Sequence, residues 1–358
     1  MSEVRAEVKG SVEFRDSPYF GLDYYQEKFG AWFFGREAEG SKIITNLRAA
    51  RLTLLHAESG VGKSSLLRAG VAWRLRGAAL DGGSRRATRY VPVVFSSWKD
   101  DPVPALVGAI SEAIEPYLGG RPKPELPDDR LDTAIEAAAG MVNANLLIML
   151  DQFEEYFLYS ASEPVPERFA DELARCVNRP DLPANFLIAI REDAYAGLGD
   201  LFKGRLANVY GNFLQIEYLD RGSAEKAIRD PLEIYNRQPG VAQRVEIQDE
   251  LVEAVLDQVR AYDSGGNPTR GGPAGANGGG HVSTPLLQLV METVWERERA
   301  LGSSELRYAT LQRLEGVEKI VDTHLAKALR ALGSSERVTA IDMFDHLVSP
   351  SEIGRAHV

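Results

Sequence analysis

A chain of 358 residues has room for two or three domains and a sizeable core, and its net charge of −11 argues against a broad nucleic-acid surface, leaving only a local basic patch open. Hydrophobic residues at 44% and charged residues at 26% are ordinary for a globular protein. A single cysteine, Cys176, excludes an intrachain disulfide and points to a reducing, cytoplasmic setting. No apolar run approaches the roughly 18 residues that span a bilayer, and the N-terminus lacks the apolar core of a signal peptide, so no membrane partner is expected.

Residues 1–32 read as a lead-in rich in aromatics: Phe14, Tyr19, Phe20, Tyr24, Tyr25 and Trp32. They are expected to pack on the edge of the following domain rather than to bind a ligand. Domain 33–219 then opens. Leu52, Leu54 and Leu55 form an apolar strand that feeds a glycine-rich turn, Ser59-Gly60-Val61-Gly62, and Lys63, Ser64 and Ser65 start a helix. Backbone N–H groups of such a turn converge on phosphate oxygens, and the helix N-terminus adds positive partial charge. Lys63 would reach the β- and γ-phosphates as an exposed ligand, and the Ser64 hydroxyl would ligate Mg²⁺. Ala57 stands where the first glycine of this motif is usual, while Gly60 and Gly62 are in place.

Further strands are predicted at 90–95, 146–150 and 185–190, with helices at 63–76, 104–117, 131–142 and 167–177. This alternation predicts an α/β fold: a parallel sheet covered by helices on both faces. The third run, Asn145-Leu-Leu-Ile-Met-Leu150, is continuous, as suits a strand buried on both faces, and it ends in Asp151, Glu154 and Glu155. The carboxyl ends of parallel strands are where ligands sit. Asp151 would hold Mg²⁺, and Glu154 or Glu155 would polarise the attacking water. Residues 122–129 form an acidic, proline-rich surface loop.

Residues 220–300 read as a helical subdomain. Ser223 is the predicted N-cap of a helix over 224–235, a second helix covers about 248–262, and a third starts at Pro285, which suits a first turn. Between them, 263–282 is too rich in glycine to fold and is expected to be disordered. Two amphipathic helices, about 317–332 and 335–347, follow. The five histidines show no metal-ligand spacing, there is no nucleophile elbow, and the guanine-reading Asn-Lys-x-Asp motif is missing.

Four segments together resemble the STAND class of signalling ATPases, and within it the bacterial novel STAND NTPase family of the first type. They are Phe33-Phe34-Gly35-Arg36-Glu37-Ala38-Glu39, the phosphate loop with its Ser-Ser-Leu-Leu-Arg-Ala-Gly70 tail, Leu150-Asp-Gln-Phe-Glu-Glu155, and Asn185-Phe-Leu-Ile-Ala-Ile-Arg191-Glu-Asp193. The resemblance runs from about Pro18 to the end. It implies that Gly35 and Arg36 lie against adenine and ribose, mostly through backbone; a simply solvated arginine is the alternative. It implies that Arg191 senses the γ-phosphate, against an ion pair with Glu192 or Asp193. It places Pro285 over the base, although Ser283 stands where a glycine is usual. The ligands implied are ATP or ADP with Mg²⁺.

The resemblance further implies a switch: a closed ADP form, an ATP form that homo-oligomerises, and slow hydrolysis as the reset. A nucleotide-gated scaffold with negligible turnover is the alternative, and a third, a motor-type ATPase, would need an arginine finger in trans, to which the sequence assigns no residue. Residues 301–352 are expected to be part of a winged helix. The class's effector and repeat-sensor regions are not read in these residues. Ile353–Val358 reads as translated adapter DNA, so 353–358 are expected to be non-native and the chain a fragment of a longer one.

Overall fold

The computed structural model describes residues 13–80, 89–127, 130–160, 166–263 and 282–347. The four apolar runs form β1 (Leu52–Ala57), β2 (Arg89–Phe95), β3 (Ala144–Leu150) and β4 (Ala184–Arg191). A fifth strand, β5 (Phe213–Gln215), was not expected; only its central Leu214 is buried, so three residues carry no apolar run. The order is β2-β3-β4-β1-β5, all parallel. Strand β4 thus lies between the strand that feeds the glycine turn and the strand that ends at Asp151. Ala57 pairs with Arg191 and Leu150 with Ile188, so the carboxyl ends of all three come out together at one edge.

The runs are continuous because both faces are buried. Leu54, Ile148, Phe186 and Ile188 point into a core made with helices Pro102–Ile114, Leu131–Val142 and Pro166–Asn178. Their strand neighbours Leu55, Leu147, Met149, Leu187 and Ala189 point the other way, toward Ile43 and Leu47 of helix Glu37–Ala49 and Leu66, Leu67 and Val71. Period-two alternation sends neighbours to opposite faces, and here both faces need apolar residues.

Local signals explain the helix boundaries. Asp101 caps Pro102–Ile114, its carboxylate accepting from the Val103 N–H at 3.0 Å. Leu131–Val142 stops at Asn143, which takes the left-handed conformation at φ 49°. The helix after the glycine turn is longer than expected. It begins with one α turn at Lys63–Ser65, widens into a π segment at Leu66–Ala72 and returns to α over Trp73–Leu80. Helix Arg221–Asn236 is capped not by Ser223 but by Asp220, whose carboxylate accepts from the Ser223 N–H at 2.7 Å. The helix starts earlier than the apolar pattern, so Ser223 sits in its first turn.

The helical part has its own core. Ile228, Leu232, Val252, Val255, Val290 and Trp295 meet from helices Arg221–Asn236, Asp249–Asp263 and Thr284–Ala300. Tyr19 and Trp32 of the lead-in join that core, and the Tyr19 hydroxyl donates to Ile228 O at 3.0 Å. Short strands β6 (Glu246–Ile247) and β7 (Glu305–Leu306) pair in parallel. Helices Tyr308–Arg313, Gly316–Ala331 and Ser334–Leu347 follow, and a winged-helix arrangement is not seen among the described residues of 301–347. Of the segment expected to be disordered over 263–282, residues 264–281 lie outside the described residues, as do 1–12, 128–129 and the 348–358 tail. Val282 is described and bridges antiparallel to Leu219. Among the described residues, no helix is long and apolar enough to cross a membrane.

Candidate nucleotide-binding site

A cavity of about 260 Å³ opens at the carboxyl edge of the sheet. Its floor is the glycine turn. Gly60 at φ 78° and Gly62 at φ 94° are left-handed, which glycine adopts without the steric cost a Cβ would bring. Ser59 to Ser65 all line the cavity. Lys63 is not exposed, as had been expected, but 9% exposed and buried. Its ammonium donates to the carbonyls of Ala57 and Glu58, each at 3.1 Å. Burial pushes its pKa down, while the charges of Glu154 and Asp151 pull it up.

Asp151 lies fully buried beyond the end of β3. The Trp98 indole N–H donates to Asp151 O at 2.7 Å, and the Asp151 N–H donates to Phe95 O at 2.7 Å, so its backbone is fixed from two sides. Carboxylate Oδ1 accepts from the Gln152 N–H at 3.0 Å, whereas buried Oδ2 has no hydrogen-bond partner. Desolvation raises its pKa, against the pull of the Ser64 hydroxyl and the Arg68 charge. A buried oxygen left unpaired is costly. Among the described residues, no group of three or more His, Cys, Asp or Glu side chains could hold a metal alone. Asp151 and the Ser64 hydroxyl therefore fit a hard divalent ion that takes its remaining ligands from phosphate and water, as Mg²⁺ does.

The two glutamates separate. Glu154 opens helix Glu154–Ser160, lines the cavity, and through Oε2 accepts from the Arg191 N–H at 3.2 Å. Glu155 is not among the lining residues; burial and then the charges of Glu154 and Asp151 raise its pKa. Arg191 lines the cavity with a guanidinium paired to Asp193, at 3.1 and 2.5 Å, and its side chain is 44% exposed.

Arg36 is not a solvated arginine. It is 4% exposed and donates to Glu217 O at 2.7 Å, to Glu39 at 2.9 Å and to Val61 O at 3.0 Å. Its side chain thus holds the glycine turn from behind, and it lines the cavity. Gly35 does not line it. Its φ is 86°, and a Cβ there would lie 2.3 Å from Ser223 O. Gly35 lets this turn touch the first turn of helix Arg221–Asn236. Gly35→Ala is expected to lower stability by about 1–3 kcal/mol through left-handed strain and that backbone clash, read as a lower urea midpoint.

Two walls were missed. Helix Thr284–Ala300 supplies Thr284, Pro285, Leu287 and Gln288, of which only Pro285 had been expected. The Thr284 hydroxyl donates to Gly60 O at 3.0 Å, and a Cβ on Gly60 would sit 3.9 Å from Pro285 Cγ, so this helix start rests on the glycine turn. The lead-in supplies Gly21 to Tyr25, so a segment expected to pack on the domain edge also lines the cavity. The Tyr25 N–H donates to the Ser65 hydroxyl at 3.1 Å. The available signal was Gly21 itself, a chain reversal at φ 60° set among aromatics.

Comparison with known proteins agrees with this architecture. No curated protein matches the sequence. Among solved structures, the chain is similar to the ORC2 protein of Aeropyrum pernix in its ADPNP-ADP complexes, at 16% identity over 80% of this chain and 68% of that one, with a TM-score of 0.50. A Walker-type ATPase of Pyrococcus abyssi matches at 15% identity over 87% and 79%, TM-score 0.48. Drosophila ORC bound to DNA matches at 11% over 91% and 74%, TM-score 0.48. At 16% identity the likeness to ORC2 speaks to the fold alone. The family Novel STAND NTPase 1 matches residues 18–358. With a match over nearly its whole length, and with a parallel sheet whose glycine turn and buried aspartate meet at one edge, the chain belongs to the novel STAND NTPase 1 family of P-loop NTPases.

Proposed function

We propose that the protein is a nucleotide switch that binds Mg-ATP and Mg-ADP, hydrolyses ATP slowly, and uses the bound state to control self-association in bacterial signalling or defence. The observation that carries this reading is the composition of the cavity wall. Sheet, glycine turn, lead-in and helical part each contribute to it, so a ligand inside bears on how they pack.

The proposed chemistry follows from the residues in place. The Lys63 ammonium turns from the Ala57 and Glu58 carbonyls to phosphate oxygens. Turn amides hold the β-phosphate. Ser64 and Asp151 hold Mg²⁺, which when bound neutralises charge on the phosphates. Glu154 orients a water and takes its proton as the water oxygen bonds to the γ-phosphorus and the bond to the ADP oxygen breaks. Arg191 is half-exposed and among the described residues its guanidinium pairs with neighbouring Asp193 alone, a partner it can exchange for a γ-phosphate.

Light scattering in Mg-ADP and in Mg-ATPγS tests the switch. A larger mass with the triphosphate analogue is expected; equal masses overturn nucleotide-controlled association. Arg191→Ala is expected to weaken ATP about tenfold, or about 1.4 kcal/mol, and ADP much less, because only ATP carries the group it meets. Calorimetry with both nucleotides reads this directly, and equal losses assign Arg191 to structure. Nucleotide binding with no phosphate release in a sealed single-turnover assay would leave the nucleotide-gated scaffold instead.

A further inference from the structure

Gln288 sits in the cavity wall in a way the proposed chemistry does not use. It lies one turn after Pro285 on helix Thr284–Ala300 and is 9% exposed. Two donors converge on its Oε1: the Phe20 N–H at 3.1 Å and the Tyr25 hydroxyl at 3.2 Å. The Phe20 amide can only donate, so the atom it meets is the carboxamide oxygen and the other is nitrogen. Burial raises the Tyr25 pKa, which keeps the hydroxyl protonated as a donor. With two donors on Oε1, its lone pairs are used. Nε2 makes no hydrogen bond among the described residues, and Gln288 lines the cavity.

The surroundings fix this orientation. Tyr25 is held at its own N–H by the Ser65 hydroxyl. Phe20 and Tyr25 stack with ring centroids 4.0 Å apart. Gly21 allows the reversal between them: a Cβ there would lie 2.0 Å from Glu292 Oε2, on the same helix as Gln288. The lead-in therefore reaches across from the glycine-turn helix and locks one side chain of the helical part, leaving its Nε2 amide with two N–H donors unused at the cavity wall.

We propose that Gln288 reads the base: its carboxamide, pinned by Phe20 and Tyr25, presents Nε2 as a donor to a ring-nitrogen acceptor of adenine. The proposal rests on the reading of this cavity as an adenine-nucleotide site. Adenine's pairing edge offers an acceptor at N1. Guanine's offers a donor there, and a donor facing a donor leaves two buried polar groups unpaired. Tyr25 acts through Gln288 and is a positioning residue.

Calorimetry tests this on the full chain with Mg-ADP, Mg-GDP and magnesium tripolyphosphate at pH 8. Gln288→Glu keeps an oxygen for Phe20 and Tyr25 but turns the free donor into an acceptor. It is expected to lower the ADP-to-GDP affinity ratio about tenfold or more, with tripolyphosphate affinity unchanged. As pH falls and the new carboxyl gains a proton, an O–H donor returns and ADP affinity recovers relative to the parent. Tyr25→Phe frees the carboxamide without deleting it, so the ratio falls about threefold, again with tripolyphosphate unchanged. Gln288→Met, which has no charge to bury, must lower ADP affinity in the same way if Gln288→Glu fails to fold. An unchanged ADP-to-GDP ratio in a folded Gln288 variant overturns the proposal alone, as does equal loss of ADP and tripolyphosphate. A parent chain that binds no Mg-ADP overturns it together with the reading of the site.

Discussion

Lys63→Ala is expected to weaken Mg-ATP and Mg-ADP by about a hundredfold or more while leaving the free protein folded. The binding loss follows from removing a charge-assisted contact in a buried site, where a hydrogen bond to a charged group contributes about 1.5–3 kcal/mol and phosphate offers more than one oxygen. The stability side runs the other way. Burial depresses the Lys63 pKa, so the folded chain holds this proton less tightly than the unfolded chain does. Below the depressed value, charging Lys63 costs the fold free energy, and the cost disappears as pH rises through the unfolded value. Alanine removes that cost together with two carbonyl contacts. The urea midpoint of Lys63→Ala at neutral pH is therefore expected to match or exceed the parent's. Calorimetry showing parental ATP affinity would remove Lys63 from the phosphate site.

Glu154→Gln is expected to bind ATP within about threefold of the parent and to lose hydrolysis by about 10²–10⁴, the range of a positioned general base. The amide keeps an oxygen for the Arg191 N–H but cannot take a proton from water. Glu155→Gln is expected to hydrolyse ATP within a few-fold of the parent, because that carboxylate does not line the cavity. Phosphate release under single turnover separates the two. If Glu155→Gln is the dead variant, the geometry around Glu154 is not that of the reacting complex.

The sheet was legible because β1 to β4 need apolar residues on both faces, so each strand prints a continuous run. Strand β5 was not, since an edge strand of three residues with one buried side chain carries no period. That the glycine turn, Asp151 and Glu154 come together at one edge was legible because the phosphate and metal chemistry proposed for them demands residue types at fixed spacing. Gly21, Tyr25 and Gln288 were not. Their importance lies in Tyr25 meeting Gln288 across 263 positions of chain, and no local pattern marks such a pair. The same blindness made Lys63 look exposed and left a solvated Arg36 open as an alternative: sequence shows a charge but not the carbonyls that surround it. Asp220 was overlooked as a cap because the apolar pattern begins only after the helix does.

The π segment at Leu66–Ala72 has a consequence for chain length. A π turn contains one residue more than the α turn it replaces, and each α-helical residue turns the chain by about 100°. Seven residues at the wider π turn carry the chain about as far round the axis as six α-helical residues do, so deleting one residue from this stretch would restore a uniform helix and leave everything beyond it close to its present angle. Arg74 would still face Glu37 O, to which it donates at 3.1 Å, and Arg76 would still face Glu27, its ion-pair partner. The stretch between Lys63 and Trp73 can thus lose one residue without turning the helix that follows, and homologous chains aligned here are expected to be one residue shorter where this helix is uniformly α.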